Sequence, residues 1–216
     1  QSGTGKTGAF SIGALSVVDT ALHAPQVLIL CPTRELSQQT ERVIRSIGSF
    51  MNLKVLSATG GNKLHQDIRI LQAGVHAVVG TPGRVFDLIR RGELHVEHIH
   101  YIILDEADQM LEELFSEQIR AILDSPFPPI TKLALFSATM PQHVLDIAET
   151  YLTNPVRILL PPEEVTLDGI KQYFVSLERE EWKLSVLLDL YQNLTVNQAL
   201  IYVNKRHKAE WLAKQL

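Results

Sequence analysis

The sequence predicts an α/β fold, a parallel sheet covered on both faces by helices, followed by the truncated start of a second unit of the same class. Three observations carry this reading. Runs rich in Val, Ile and Leu recur at residues 26–30, 75–79, 101–104, 133–136 and 156–160, each the length of a strand buried on both faces. Between them apolar residues fall at helical spacing, as in Val43, Ile44, Ile47 and Phe50, or Val144, Leu145, Ile147, Ala148 and Leu152. Strand and helix therefore alternate, and a helix between two strands returns the chain to the same edge of a parallel sheet. Finally, 216 residues that are 45% hydrophobic and 20% charged can bury a core, while 12 glycines and 10 prolines exclude collagen-like or low-complexity architecture.

The formal net charge of −4 excludes a bulk electrostatic binder of nucleic acid, so any such contact must use a local surface or neutral backbone groups. The single cysteine, Cys31, cannot close an intrachain disulfide, which predicts an intracellular, reducing setting. No run approaches the roughly 18 apolar residues of a membrane span, and no signal peptide is visible. The chain begins at Gln1 and ends inside a helical pattern, as expected of a piece of a longer protein.

The first element is a phosphate loop, Ser2-Gly3-Thr4-Gly5-Lys6-Thr7, carrying the G-K-[ST] end of the Walker A pattern. Its glycines let successive backbone N–H groups converge on phosphate oxygens, Lys6 brings a cation to the β/γ phosphates, and Thr7 offers Mg²⁺ a hydroxyl as a helix begins. The competing reading is a glycine turn with a solvated lysine.

The strand at 101–104 runs directly into Asp105-Glu106-Ala107-Asp108. Carboxyl ends of parallel strands line the ligand crevice, so Asp105 can hold Mg²⁺ and Glu106 can orient and deprotonate a water. For Asp108 a role as N-cap of a helix over 109–114 explains the residue nearly as well as a functional one.

Residues 161–164, Pro-Pro-Glu-Glu, break the pattern, so the first domain is assigned to 1–160 and a linker to 161–168. The second domain begins at 169, with a strand over 170–177, a helix over 179–194, a strand over 199–203 and a helix from Lys205 onward.

With these residues in place the chain resembles the DEAD-box RNA helicases from end to end. The motifs stand in the family's order: the phosphate loop, Pro32-Thr33-Arg34-Glu35-Leu36, Gly60-Gly61, Thr81-Pro82-Gly83-Arg84, Asp105 to Asp108, and Ser137-Ala138-Thr139. Stretches 83–87, 155–159 and 178–183 are similar to the branch around translation initiation factor 4A and its relatives in exon-junction and ribosome-biogenesis complexes. The resemblance implies a RecA-like fold, ATP and Mg²⁺ as cofactors, and RNA-stimulated ATP hydrolysis coupled to unwinding or RNP remodelling. Protein partners from complexes of those kinds are implied with it. The alternative is a non-catalytic, ATP-dependent RNA clamp or scaffold.

The resemblance also assigns roles. Pro32, Thr33, Arg34, Gly60, Gly61, Thr81, Pro82, Gly83 and Arg84 would contact the RNA sugar-phosphate backbone, giving RNA selectivity with little sequence preference. Read without it, these residues are loop punctuation and Arg84 an exposed helix residue. Ser137, Thr139 and Asp108 would couple the nucleotide site to RNA through hydrogen bonds. A cap for the helix after Pro141 explains the two hydroxyls equally well. The adenine-reading segment and the arginine fingers are expected outside 1–216. Two residues depart from the branch: Ser37 stands where alanine is usual, and Lys205 replaces a threonine after Asn204.

His95, His98 and His100 invite a metal assignment, but no cysteine or suitably spaced acid completes it, so solvated histidines are expected. Cys31 reads as a small buried hydrophobe.

Overall fold

The computed structural model describes residues 3–111, 115–159, 170–195 and 197–216. Its contacts divide the chain into two units, Gln1–Asp168 and Gly169–Leu216. The first holds a five-stranded sheet in the order β2-β3-β1-β4-β5, formed by β1 (Val27–Leu30), β2 (Val55–Ala58), β3 (Ala77–Gly80), β4 (Tyr101–Asp105) and β5 (Lys132–Phe136). Every pairing is parallel, with Val27 of β1 opposite Ala77 on one side and Tyr101 on the other.

Alternate strand residues point to opposite faces, and this splits the core in two. Leu28, Leu30, Val78, Ile102 and Leu104 face Val85 and Leu88 of α4 (Pro82–Arg90), Met110 of α5 (Ala107–Leu111), Ile119 and Ile122 of α6 (Ser116–Leu123), and Val144 and Ile147 of α7 (Gln142–Tyr151). Val27, Ile29, Cys31, Val79 and Ile103 face Phe10, Ala14 and Leu15 of α1 (Lys6–Leu15) and Ile44 of α2 (Arg34–Ile47). Completing the unit, α3 (Leu64–Gln72) follows β2. No helix among the described residues is long and apolar enough to cross a membrane.

Strands predicted from local sequence are not all formed. Residues 156–159 carry no strand pairing, and Val156 and Ile158 are each 90% exposed; Leu160 lies outside the described residues. In the second unit, 170–177 and 199–203 are likewise unpaired. An apolar run becomes a strand only where a neighbouring strand accepts its backbone hydrogen bonds, and that partner is non-local. Conversely, β2 was not among the expected strands. The second unit forms a 3₁₀ turn over Glu180–Trp182, α8 (Lys183–Asn193) and α9 (Arg206–Gln215). Lys205 takes the N-cap position of α9. The predicted linker at 161–168 lies outside the described residues.

Buried Ser37 is fully enclosed on α2 and its hydroxyl has no hydrogen-bond partner among the described residues. Leaving a hydroxyl desolvated and unpaired costs about 1–3 kcal/mol, so Ser37→Ala is expected to stabilise the fold by about 1 kcal/mol, read as a higher denaturation midpoint in urea.

Away from the motif-bearing rim, His76 is buried beside the start of β3, and its Nδ1 accepts the Lys54 N–H at 3.0 Å. Burial first, then His23, whose ring stands edge-on at 5.9 Å, and Lys54 lower its pKa, against an opposing pull from Asp19 and the Thr20 backbone. Protonating Nδ1 would set one N–H against another. Because the folded value lies below the unfolded value of 6.5, this stability is complete above 6.5 and is lost as pH falls from there through the folded value. His76→Asn, which keeps an acceptor but cannot titrate, should show a shallower decline in urea midpoint below pH 6.5 than wild type.

Candidate nucleotide site and nucleic-acid groove

Because every strand is parallel, all the chain segments leaving the strand carboxyl ends emerge on one rim of the sheet. Pro32 follows β1, Gly60 and Gly61 follow β2, Thr81 to Arg84 follow β3, Asp105 ends β4 and Ser137 follows β5. The strand order reverses between β1 and β4, which separates the first three segments from the last two.

The phosphate loop enters α1 through glycines at φ +78 (Gly3) and +87 (Gly5), left-handed values that L side chains rarely adopt. A Cβ would meet nothing within 4 Å at either position, so conformation and not space selects glycine. Lys6 opens the helix with Gly5 at its cap, and Thr7 follows in the first turn. Phe10 of α1 packs on Phe136 of β5, ring centroids 5.1 Å apart, which anchors the helix over the β4–β5 side of the sheet. Ser2 lies outside the described residues.

Asp105 is only 5% exposed, and its Oδ1 accepts the Glu106 N–H at 3.1 Å. Burial first and the neighbouring Glu106 second push its pKa up to about 6, while the Glu106 amide and the Lys6 ammonium pull the other way. The Lys6 ammonium of the phosphate loop thus acts electrostatically on the carboxylate that ends β4. Glu106 itself sits at φ 51, uncommon for a non-glycine residue, and its carbonyl accepts the N–H groups of Gln109 and Met110. It thereby turns the chain from strand to helix, with backbone strain concentrated at the residue that carries the carboxylate.

Asp108 is not an N-cap. The helix begins at Ala107, so Asp108 lies inside its first turn, and Glu106 supplies the capping carbonyl because its left-handed backbone ends the strand one residue earlier. The Asp108 carboxylate accepts the Thr139 hydroxyl at 2.6 Å, and its backbone N–H donates to Ser137 Oγ at 3.3 Å. Burial would raise its pKa, yet the hydroxyls of Thr139 and Ser137 hold it below the usual value. Neither hydroxyl caps α7, whose N-cap is Pro141. Here the structure joins three residues that sequence reasoning had left divided between two explanations.

On the β2-β3-β1 side a cavity of about 550 Å³ is lined by Pro32, Arg34, Gly60, Thr81, Gly83, Arg84, Asp87 and Phe115. Most of the expected nucleic-acid residues therefore share one groove. Thr33 serves locally, its hydroxyl accepting the Leu36 N–H at 3.2 Å to cap α2, and Pro82 starts α4 beneath the groove. Gly61 lies beside it against the Arg34 guanidinium. Arg84 is not the exposed helix residue of the simpler reading: its guanidinium pairs with buried Asp67 and donates to the Asn62 carbonyl at 2.8 Å. Asp67, Asp87 and Phe115 were not singled out as site residues. Asp87 follows Arg84 at the next turn of the same helix, a spacing that could have exposed it; Asp67 gave no signal, since it sits unremarkably in the first turn of α3.

Cys31 is fully buried and its thiol is pushed up to about 12, by burial first and then Asp105. No group of three or more metal-ligating side chains occurs among the described residues, and His95 meets only Glu97, at 3.9 Å.

A parallel sheet with a phosphate loop, an acidic strand end and a groove across the same rim defines the class as a RecA-like nucleotide-binding helicase domain. The model of the DEAD/DEAH box helicase family matches residues 1–147, and the chain belongs to that family. It is 49% identical over 216 residues to eukaryotic initiation factor 4A-1 of Arabidopsis thaliana, covering 100% of this chain and 52% of that protein. It is 48% identical to the ATP-dependent RNA helicase fal1 of Aspergillus fumigatus, covering 100% and 54%. Among solved structures, S. cerevisiae Dbp5 bound to RNA and ADP BeF3 superposes with a TM-score of 0.83 at 34% identity, over 100% of this chain and 54% of that one. The chain thus spans about half the length of the relatives it matches.

Proposed function

We propose that the protein is an ATP-dependent RNA helicase in which RNA-stimulated ATP hydrolysis drives local strand separation or RNP remodelling. One observation carries the reading: a single rim of the sheet bears the groove after β1, β2 and β3 and the acidic site after β4 and β5, with the Asp108–Thr139 hydrogen bond joining the β4 and β5 loops. The solved Dbp5 relative holds RNA and a nucleotide analogue, and fal1 is named an ATP-dependent RNA helicase.

In this reading the loop amides from Gly3 to Thr7 and the Lys6 ammonium hold the phosphates. The candidate metal position would draw on oxygen donors, the Thr7 hydroxyl and the buried Asp105 carboxylate, whose pKa is pushed up to about 6 by burial first and by Glu106 second. Such a set suits Mg²⁺, which takes one or two carboxylates together with substrate phosphates and needs no preformed protein cage. Mg²⁺, when bound, would neutralise developing phosphate charge. Glu106 orients a water and accepts its proton, and its backbone, fixed by Asp105 and the start of α5, keeps that carboxylate aimed. Groove contacts come mainly from backbone amides and hydroxyls, consistent with the net charge of −4 and with recognition of phosphate and 2′-hydroxyl in preference to base edges.

Residues 1–160 would be the first RecA-like domain, 161–168 the linker and 169–216 the start of the second. The partners would include RNA and proteins of an intracellular RNP complex. Residues 1–216 by themselves should turn nucleotide over poorly, so phosphate release by the full-length protein, measured with no nucleic acid, with RNA and with single-stranded DNA of the same sequence, tests the function. RNA alone should stimulate strongly; equal stimulation by DNA would overturn RNA selectivity. Absent turnover with intact RNA binding would leave a clamp in place of an enzyme.

A further inference from the structure

Two arginines brace the Gly60–Gly61 loop. On one side the Arg34 guanidinium lies so close that a Cβ on Gly61 would stand 2.6 Å from its Nη1. On the other, Arg84 of α4 pairs through Nη1 with Asp67 of α3 and donates from Nη2 to the Asn62 carbonyl at 2.8 Å. The side chains of Asp67 and Arg84 are only 3% and 12% exposed. A carboxylate removed from water is unfavourable unless it is paired, so Asp67 holds the Arg84 fork in one orientation. That fork reaches the residue immediately after the two glycines, the first of which, Gly60, lines the groove. Arg84 lines the groove, yet its charge is already answered from behind.

We propose that Asp67 is a positioning residue for RNA: through Arg84 it fixes the Asn62 carbonyl, and with it the Gly60–Gly61 amides, and Arg84 works as this brace and not as a phosphate ligand. The inference rests on the groove being the RNA site, and its test separates the two. Anisotropy of a fluorescein-labelled single-stranded RNA is read over a series of KCl concentrations for wild type, Asp67→Asn, Arg84→Lys, Arg84→Met and the double variant Asp67→Asn, Arg84→Lys. Lysine keeps the charge but not the two-pronged geometry. Asp67→Asn and Arg84→Lys should each weaken RNA binding about tenfold, the size expected for losing hydrogen bonds to charged groups. The double variant should be no weaker than either single one, and Asp67→Asn should bind nucleotide as wild type does. Arg84→Met should lower affinity without changing the slope of log Kd against log salt.

Wild-type affinity in Arg84→Lys overturns the brace. So does a slope flattened by about 0.7 in Arg84→Met, the signature of one lost phosphate contact. Tighter binding by Asp67→Asn, which would mean a cation had been released to the RNA, overturns it too. Should Asp67→Asn fail to melt cooperatively, Arg84→Lys, which leaves a cation beside Asp67, decides alone. Failure of wild type to bind RNA would instead sink the groove assignment.

Discussion

Replacing Glu106 by glutamine in the full-length protein is expected to lower RNA-stimulated phosphate release at least about a hundredfold, the loss typical of removing a positioned general base. The substitution retains size, so the left-handed turn at φ 51 and its capping carbonyl remain. It removes the proton acceptor and, with it, one negative charge. It should not weaken nucleotide binding, because Glu106 is one of the charges that push Asp105 up to about 6. Without it Asp105 ionises more readily and becomes a better cation ligand. Steady-state phosphate release together with nucleotide titration separates the two effects. Turnover equal to wild type would remove Glu106 from the chemistry, whereas parallel loss of turnover and nucleotide affinity would mean that the loop had collapsed.

In the full-length protein the Ser137→Ala, Thr139→Ala double variant is expected to keep RNA-stimulated hydrolysis while strand separation falls about tenfold or more, since the Thr139 hydrogen bond to the Asp108 carboxylate alone contributes about 1.5–3 kcal/mol. The two hydroxyls meet Asp108 across the space between the β4 and β5 loops, and neither caps α7. Their removal therefore leaves the start of α7 intact and deletes a link between the β4 and β5 loops. Such a network exists in only one relative placement of its members, which is what a coupling element requires. A duplex-displacement assay run beside phosphate release makes the comparison. If both activities persist, or both fall together, the link does not couple them.

The strands that were legible in the sequence are those with dense β-branched or leucine runs: β1, β3, β4 and β5 fall within a residue or two of the expected positions. Their motifs were legible for the same reason, since a phosphate loop or a strand-end carboxylate is a local arrangement with local residue requirements. β2 escaped because Ser57 interrupts the apolar run Val55-Leu56-Ser57-Ala58, and pairing with β3 is what makes it a strand. The run at 156–160 erred the other way, reading as a strand where no neighbour pairs with its described residues.

By itself the sequence determined the parallel α/β class, the phosphate loop, the acidic strand end and the order of the rim segments, because each depends on spacing within a few residues. Tertiary structure alone decided which long-range partners those residues take. It placed Lys6 within electrostatic reach of Asp105, gave Thr139 to Asp108, and turned Arg84 to Asp67. Such pairs join residues far apart in the chain, and their geometry is set by strand order and helix packing, which no local pattern encodes.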